Sequence, residues 1–109
     1  MATDPDRMRA ISALRFRALG DETRLRILEA LTAGESTVSE LTAGVDIGQS
    51  LMSHHLRILR EAGLVTDRRA GRWVYYAIAE PALASVKLSL YELDVGRGRA
   101  ARAFGERFL

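Results

Sequence analysis

Apolar residues recur at intervals of three and four through the first part of the chain, which predicts amphipathic helices. Asp4 and Pro5 supply an N-cap and a proline at the first helical position, so a helix is expected to begin there and to break at Gly20. A second helix is expected after the N-cap residue Asp21 and before Gly34, which suits a left-handed backbone. The pattern thus predicts two consecutive helices.

A second pair of helices is predicted next, with a tight connection between them. Thr37 and Glu40 have the spacing of a capping box, in which each side chain binds the other residue's backbone N–H at a helix start. Gly44 is expected to take the positive φ of a sharp turn into a fourth helix, which begins near Gly48 and runs to Gly63. Two helices joined by a short glycine-containing turn predict a helix-turn-helix.

The predicted fourth helix has an apolar face and a polar face. Met52, Leu56 and Leu59 are spaced so that they face inward together. The opposite face is predicted to carry only polar side chains: Gln49, Ser50, Ser53, His54 and Arg57. Such side chains can read base edges and phosphates, whereas a helix that is merely solvated more often carries Glu and Lys pairs. We therefore expect this helix to contact DNA.

The alternation of residues after the fourth helix predicts a β-hairpin. One strand is expected to start at Leu64, Ala70 and Gly71 to form a two-residue turn, and a return strand to run from Trp73 to Ala79. Three arginines crowd the tip of this hairpin: Arg68, Arg69 and Arg72. A basic hairpin directly after a DNA-reading helix is typical of a wing that reaches phosphates or a minor groove; the alternative is an exposed turn made soluble by arginine.

A last helix is predicted to open at Pro81 and to carry a further apolar seam. One small domain hardly needs so many apolar stripes, so the first and last helices are expected to form a dimer interface, although both could instead pack on their own core. The predicted interface residues are Ile11, Leu14, Leu83, Val86, Leu90 and Leu93. The expected fold is mainly α with a small β-hairpin, a winged helix-turn-helix over residues 1–95, followed by a basic C-terminal extension over residues 96–109.

Composition and charge narrow the function. The chain has 109 residues, enough for one small domain, and a net charge of +2. Residues 49–72 carry five Arg against two acids and residues 97–109 carry four against one, each giving +3, which favours a polyanionic partner. The absence of Cys excludes disulfides, thiolate zinc sites and a cysteine nucleophile. No apolar run reaches the ~20 residues of a membrane span and the N-terminus is acidic, so a cytoplasmic location is expected.

Three segments together resemble the ArsR/SmtB type of winged helix-turn-helix repressors. The segments are residues 19–28 (LGDETRLRIL), residues 49–65 with QSLMSHHL and LREAGLV, and residues 71–76 (GRWVYY). They stand in the family's order and spacing, and the resemblance extends over about residues 7–95. It implies a homodimer formed by the first and last helices, with paired recognition helices that bind a palindromic operator until an inducer loosens the fit.

The chain departs from that family in its metal ligands. Where the thiol-using branch carries Cys-Val-Cys, this chain has Thr37-Val38-Ser39, whose hydroxyls are poor ligands for soft metals. The branch with a site on the last helix uses Asp and His, but residues 81–109 contain no His. His54 and His55 are adjacent, point about 100° apart on a helix and cannot chelate one ion together. We expect neither metal nor cofactor, and assign His54 to DNA contact and His55 to a partly buried structural role.

These observations predict a sequence-specific DNA-binding transcriptional regulator, in particular a repressor. An enzyme is not expected, because Ser53 and His54 are neighbours on a helix and do not face each other. A winged-helix module that docks onto another protein is the alternative, and would expose apolar anchors on the fourth helix. The inducing signal stays open between a small molecule, a metal held by carboxylates and a separate sensor protein.

Overall fold

The computed structural model describes residues 4–96, so residues 97–109 of the predicted C-terminal extension lie outside the described part. Helices enclose one core, and a small sheet flanks it. The elements are α1 (Pro5–Leu19), α2 (Glu22–Leu31), β1 (Ser36–Thr37), α3 (Val38–Val45), α4 (Gln49–Glu61), β2 (Val65–Ala70), β3 (Trp73–Ile78) and α5 (Glu80–Glu92). The prediction of a mainly helical winged helix-turn-helix is confirmed.

The predicted helix starts are confirmed by their capping bonds. The Asp4 side chain accepts from the Asp6 N–H at 3.0 Å, and the Asp21 side chain accepts from the Arg24 N–H at 3.0 Å. At α3 the capping box is complete, because Thr37 Oγ1 accepts from the backbone N–H of the third helical residue, whose carboxylate accepts from the Thr37 N–H, both at 3.2 Å. Each bond satisfies a backbone donor that the helix itself leaves unpaired.

The connection between α3 and α4 differs from the prediction. Gly44 lies inside α3, and the left-handed residue is Asp46, with φ 59° and ψ 52°. The helix therefore continues to Val45, which is buried, and the Asp46 N–H closes the helix end on the Thr42 carbonyl at 2.9 Å. Asp adopts this conformation more readily than most residues, so a glycine was not needed for the turn.

The helix ends lie earlier than the glycines that were expected to mark them. Helix α2 ends at Leu31, three residues before Gly34, and α4 ends at Glu61 rather than at Gly63. Both glycines nevertheless have positive φ, 128° and 74°, in the loops that follow. Gly63 follows the C-cap of α4 and closes the helix end, because its N–H donates to the Arg60 carbonyl and the Leu64 N–H donates to the Leu59 carbonyl, both at 2.9 Å, as in a Schellman cap. The glycine stop expected for α4 is therefore present, and the Gly34 N–H donates to the carbonyl of Leu31, the last residue of α2, at 3.1 Å.

The hairpin is present with its turn one residue later than predicted. Ala70 pairs with Trp73, so the two-residue turn is Gly71-Arg72, with Gly71 at φ 61°. That conformation is costly for a residue with a side chain, which explains why the glycine occupies the first turn position.

A third strand, β1, was not predicted. It pairs antiparallel with β3, with Ser36 opposite Tyr76 and Thr37 opposite Tyr75, and gives the sheet order β1-β3-β2. A two-residue strand is too short to show alternation, so the sequence carries no periodic signal for it. Thr37 serves both as the end of this strand and as the N-cap of α3.

The core is built around the inner face of α4. The largest side chains that are almost fully buried are Ile27, Leu41, Met52, Leu56, Leu59, Leu64 and Val65. From α5, Val86 is buried and Leu83 packs against this cluster, so these two predicted interface residues contact the chain's own core. Leu90 and Leu93, farther along α5, are 55% and 72% exposed.

Candidate nucleic-acid interface

One side of α4 is an exposed polar surface. The residues of this helix that the sequence predicts to contact DNA are all exposed: Gln49, Ser50, Ser53, His54 and Arg57. The buried residues of the same helix are Met52, His55, Leu56 and Leu59. Burial of that apolar face fixes the direction in which the polar face points, so the core itself positions the polar side chains.

An open depression of about 340 Å³ lies on this polar surface. It is lined by Ser50, Ser53, His54, Arg57, Arg60 and Tyr76. Arg60 and Tyr76 were not predicted as part of the site. Arg60 stands one turn after Arg57 on the same helix face, a spacing that the sequence does contain, whereas Tyr76 comes from β3 and depends on the tertiary fold. The Arg60 guanidinium also binds the Asp67 carboxylate at 3.4 Å.

Leu51 departs from the expectation of a wholly polar exposed surface on α4. Its side chain is 47% exposed. On a helical projection it lies beside buried His55 and about 60° beyond His54, at the edge of the polar surface rather than at its centre. An isolated apolar side chain in that position is not the cluster of anchors that a docking helix presents.

The N-terminus of α4 lacks a side-chain cap. Gly48 is its N-cap, no side chain accepts from the first-turn N–H groups, and the first turn has no acid. Helices α1, α2 and α3 each begin with a capping side chain and an acidic residue in the first turn. The positive end of the α4 dipole therefore remains unneutralised by these means, which favours an anion such as a phosphate there.

His55 lies beneath the polar surface, buried in agreement with the expected structural role. Its Nδ1 lies 3.1 Å from an Arg24 guanidinium nitrogen and 4.0 Å from an Asp21 carboxylate oxygen. Burial lowers the pKa of His55, the charges of Arg24 and His54 lower it further, and the Asp21 carboxylate opposes them. The neutral ring, with Nδ1 as acceptor toward the guanidinium, is the form that this environment favours.

The three wing arginines are in different environments. The Arg68 Nε donates to the Glu35 carboxylate at 2.9 Å, and its guanidinium carbon lies 4.6 Å from the centre of the Tyr75 ring. This pairing raises the pKa of Arg68 and lowers that of Glu35. Arg69 and Arg72 are exposed, and the Arg72 guanidinium lies 5.4 Å from the Trp73 ring centre. Arg68 is therefore engaged with protein groups, while the other two lie toward the tip.

Within residues 4–96 no three His, Asp or Glu residues come together in a way that could hold a metal ion. No helix in the same range is long and apolar enough to cross a membrane.

The sequence and the fold of this chain have counterparts among known proteins. Residues 21–67 match the model of the family described as bacterial regulatory protein, arsR family. The biofilm growth-associated repressor of Agrobacterium fabrum is 37% identical over 81 residues, which are 74% of this chain and 69% of that protein. This chain belongs to the arsR family. The match includes α2, the helix-turn-helix and the first residues of the wing.

Other members of the arsR family show how far the likeness extends. A transcriptional repressor SmtB homolog of Synechocystis is 48% identical over 65 residues, 60% of this chain and 49% of that protein. The chain thus matches about half the length of the first curated arsR-family relatives. The homodimeric winged helix-turn-helix DNA-binding domain of a Mycobacterium bovis protein has a TM-score of 0.67 and 33% identity, over 86% of this chain and 91% of that one.

Proposed function

We propose that this arsR-family chain is a transcriptional repressor that binds a palindromic operator as a homodimer. The observation that carries the proposal is the exposed polar face of α4, directed outward by a fully buried opposite face. Its relatives include repressors, and a DNA-binding domain with the same fold is homodimeric.

Within this proposal α4 is the recognition helix in the major groove. Gln49, Ser50, Ser53, His54 and Arg57 are the side chains assigned to base edges and nearby phosphates. The uncapped N-terminus of α4 at Gly48 supports a contact between its first backbone N–H groups and a DNA phosphate. Arg60 is added to the phosphate contacts, because it lines the same depression as Arg57. A phosphate contact requires Arg60 to leave its carboxylate partner Asp67.

The wing is assigned to phosphates or the minor groove through Arg69 and Arg72. Both are exposed beside the Gly71 turn. Arg68 belonged to the predicted DNA-binding set, but its guanidinium is bound to Glu35, so a phosphate contact requires this arginine to exchange partners. Arg69 and Arg72 are therefore the better candidates for a direct electrostatic contribution.

The homodimer is assigned to the outer faces of α1 and α5. Ile11 and Leu14 on α1 are 40% and 42% exposed, and Leu90 and Leu93 on α5 are more exposed still. An apolar surface of this kind on two neighbouring helices supports an interface between two copies of the chain. The inducing signal stays open between three kinds: a small molecule, a metal held by carboxylates and a separate sensor protein.

A salt titration with two duplexes tests the assignment. The operator is first selected from genomic fragments, and binding to operator and scrambled DNA is then measured for the wild type, Arg57→Ala and Arg72→Ala. Loss of Arg57 should cost about 1–3 kcal/mol on the operator and much less on scrambled DNA, because it removes a base-reading side chain. Loss of Arg72 should weaken both duplexes similarly and reduce the salt slope by about one.

Lys87→Ala on α5 is the control for a lost positive charge away from α4 and the wing. Equal losses on both duplexes with unchanged salt slopes for the Arg57 and Arg72 variants would contradict the DNA contacts. If the selection from genomic DNA returns no preferred fragment, this result would favour the alternative that the chain is a module that docks onto another protein.

A further inference from the structure

Helix α1, which bears part of the proposed dimer surface, is tied to the proposed recognition helix by two arginine side chains. The Arg15 Nε donates to the carbonyl of Ala62, the C-cap residue of α4, at 3.1 Å. The Arg24 guanidinium contacts His55 in the middle of α4 at 3.1 Å. Both arginines are partly buried, so these bonds are less weakened by water than those of a surface pair.

Arg24 reaches three acceptors because its guanidinium is a planar fork. Its Nε donates to the Ala18 carbonyl at 2.6 Å, one terminal nitrogen lies 3.3 Å from the Arg17 carbonyl, and the other faces His55. The two carbonyls belong to the last turn of α1, where the helix leaves carbonyl groups incompletely paired; the Arg17 carbonyl also accepts from the Gly20 N–H at 3.3 Å. One side chain at the start of α2 therefore joins the end of α1 to the inner face of α4.

The two attachment points lie at different heights on α4. His55 and Ala62 are seven residues apart, which corresponds to about 10 Å along the helix axis. The buried face of α4 packs into the core, and two polar attachments at different heights add a constraint on the direction of the helix axis that a single attachment would not give. Moreover, Arg15 stands one residue after Leu14 and one turn after Ile11, which are exposed on the proposed dimer face.

We propose that Arg15 and Arg24 are positioning residues that set the orientation of the recognition helix relative to the dimer axis, and thereby the half-site spacing that the dimer accepts. The inference rests on the proposed function, because half-site spacing has a meaning only for a dimer on an operator. In such dimers the separation and phase of the two recognition helices must match the DNA helical repeat.

The test is a spacing series of operators bound by variants that keep the positive charge. Arg15→Lys and Arg24→Lys retain the charge but lose the fork geometry of arginine. Operators are made with the native spacing and with one or two base pairs inserted or removed at the centre, each step rotating one half-site by about 35°. The matched control is Arg17→Lys, the same change at an exposed position of α1.

We expect both variants to lose affinity for the native spacing, by about tenfold, and to be less sensitive than the wild type to the inserted or removed base pairs. Binding to an isolated half-site and dimerisation in sedimentation should be unchanged. The Arg17 variant should reproduce the wild-type spacing profile. The two variants break different attachments. If circular dichroism shows that one of them does not fold, the spacing profile of the other still tests the proposal.

The inference is overturned if the folded variants keep the wild-type spacing profile, whether their affinity is unchanged or is reduced equally at every spacing. The second result would assign both arginines to stability alone. If the wild-type protein has no preferred operator, the proposed function itself is refuted. This outcome differs from a failure of the inference about the two arginines, because it is seen with the wild type alone.

Discussion

Several arginines outside the two basic segments satisfy protein carbonyls. Besides Arg15 and Arg24, Arg26 donates to the Val45 carbonyl at the end of α3 at 2.8 Å. Each of these carbonyls lies at a helix C-terminus, where a cation is favoured by the helix dipole and by the unpaired acceptor. Since the donors come from other helices, no sequence spacing reveals these contacts, and residues 49–72 remain the more informative basic segment.

The pKa of His55 makes a prediction for the pH dependence of stability. The folded protein holds this pKa below its unfolded value of about 6.5, so the unfolded chain binds the proton more readily. The free energy of unfolding should therefore fall as the pH drops below about 6.5 and on through the folded pKa, at most by about 1.4 kcal/mol per pH unit for one proton. His55→Gln should flatten this decline in urea unfolding measured between pH 7 and 5.

The groups facing His55 are Asp21, Arg24 and His54. The pKa of Asp21 is lowered, mainly by the hydrogen bond from the Arg24 backbone N–H, so this carboxyl group titrates below the window. His54→Gln is the control, because it makes the same substitution at the neighbouring, exposed histidine. Parallel profiles for wild type and the His55 variant would show that this residue does not control the decline.

At the scale of elements, a glycine inside a helix and a glycine in a hairpin turn make opposite predictions, at Gly44 in α3 and at Gly71 between β2 and β3. Gly44 lies within α3, and an added Cβ there meets no atom within 4 Å. Gly44→Ala should raise the free energy of unfolding by about 0.5–1 kcal/mol, because alanine costs less backbone entropy in a helix. Urea unfolding with circular dichroism measures the difference.

Gly71→Ala is the matched control for this substitution. An added Cβ at Gly71 also meets no atom within 4 Å, but its φ is 61°, so alanine should cost about 1 kcal/mol through conformation alone. A destabilising Gly44 variant would mean that residue 44 takes the positive φ originally expected from the sequence, and that the turn does not lie at Asp46.

The elements with strong local signals were predictable, and those that depend on distant partners were not. The capping residues Asp4, Asp21 and Thr37 fixed the helix starts, because a cap acts within its own helix turn. The face of α4 followed from apolar spacing alone. Strand β1 and the contribution of Tyr76 to the candidate site were missed, since both exist only through pairing or packing between segments far apart in the chain.

For the whole molecule, the decisive prediction concerns the outer end of α5. Leu90→Glu combined with Leu93→Glu should give a folded monomer, because both side chains are exposed in the single chain but lose apolar burial between copies. Light scattering measures the mass, and operator affinity should fall with the loss of the dimer. Val86→Glu should unfold the chain instead, because that side chain is 5% exposed in the core.

Lys87→Glu, an exposed change on the same helix, controls for the added negative charge. A double variant that keeps the wild-type mass would remove the outer end of α5 from the interface. The assignment would then rest on α1, where Ile11 and Leu14 remain exposed.

The two-residue strand β1 has a consequence for the order of folding. Its pairing with β3 joins Ser36 to Tyr76 and so closes a loop of about 40 residues. The chain loses conformational entropy when this loop closes, and the strand pair forms only when other contacts compensate for that loss. The helices and the hairpin form from nearby residues, so we expect this closure to follow the packing of α3 and α4 onto the core. The last strand pair to form also joins the wing to the start of α3, so refolding chains should recover helical signal first and the protection of the β3 amide that faces β1 afterwards. Only one of Tyr75 and Tyr76 is expected to show this delay, because consecutive N–H groups of a strand point to opposite neighbours.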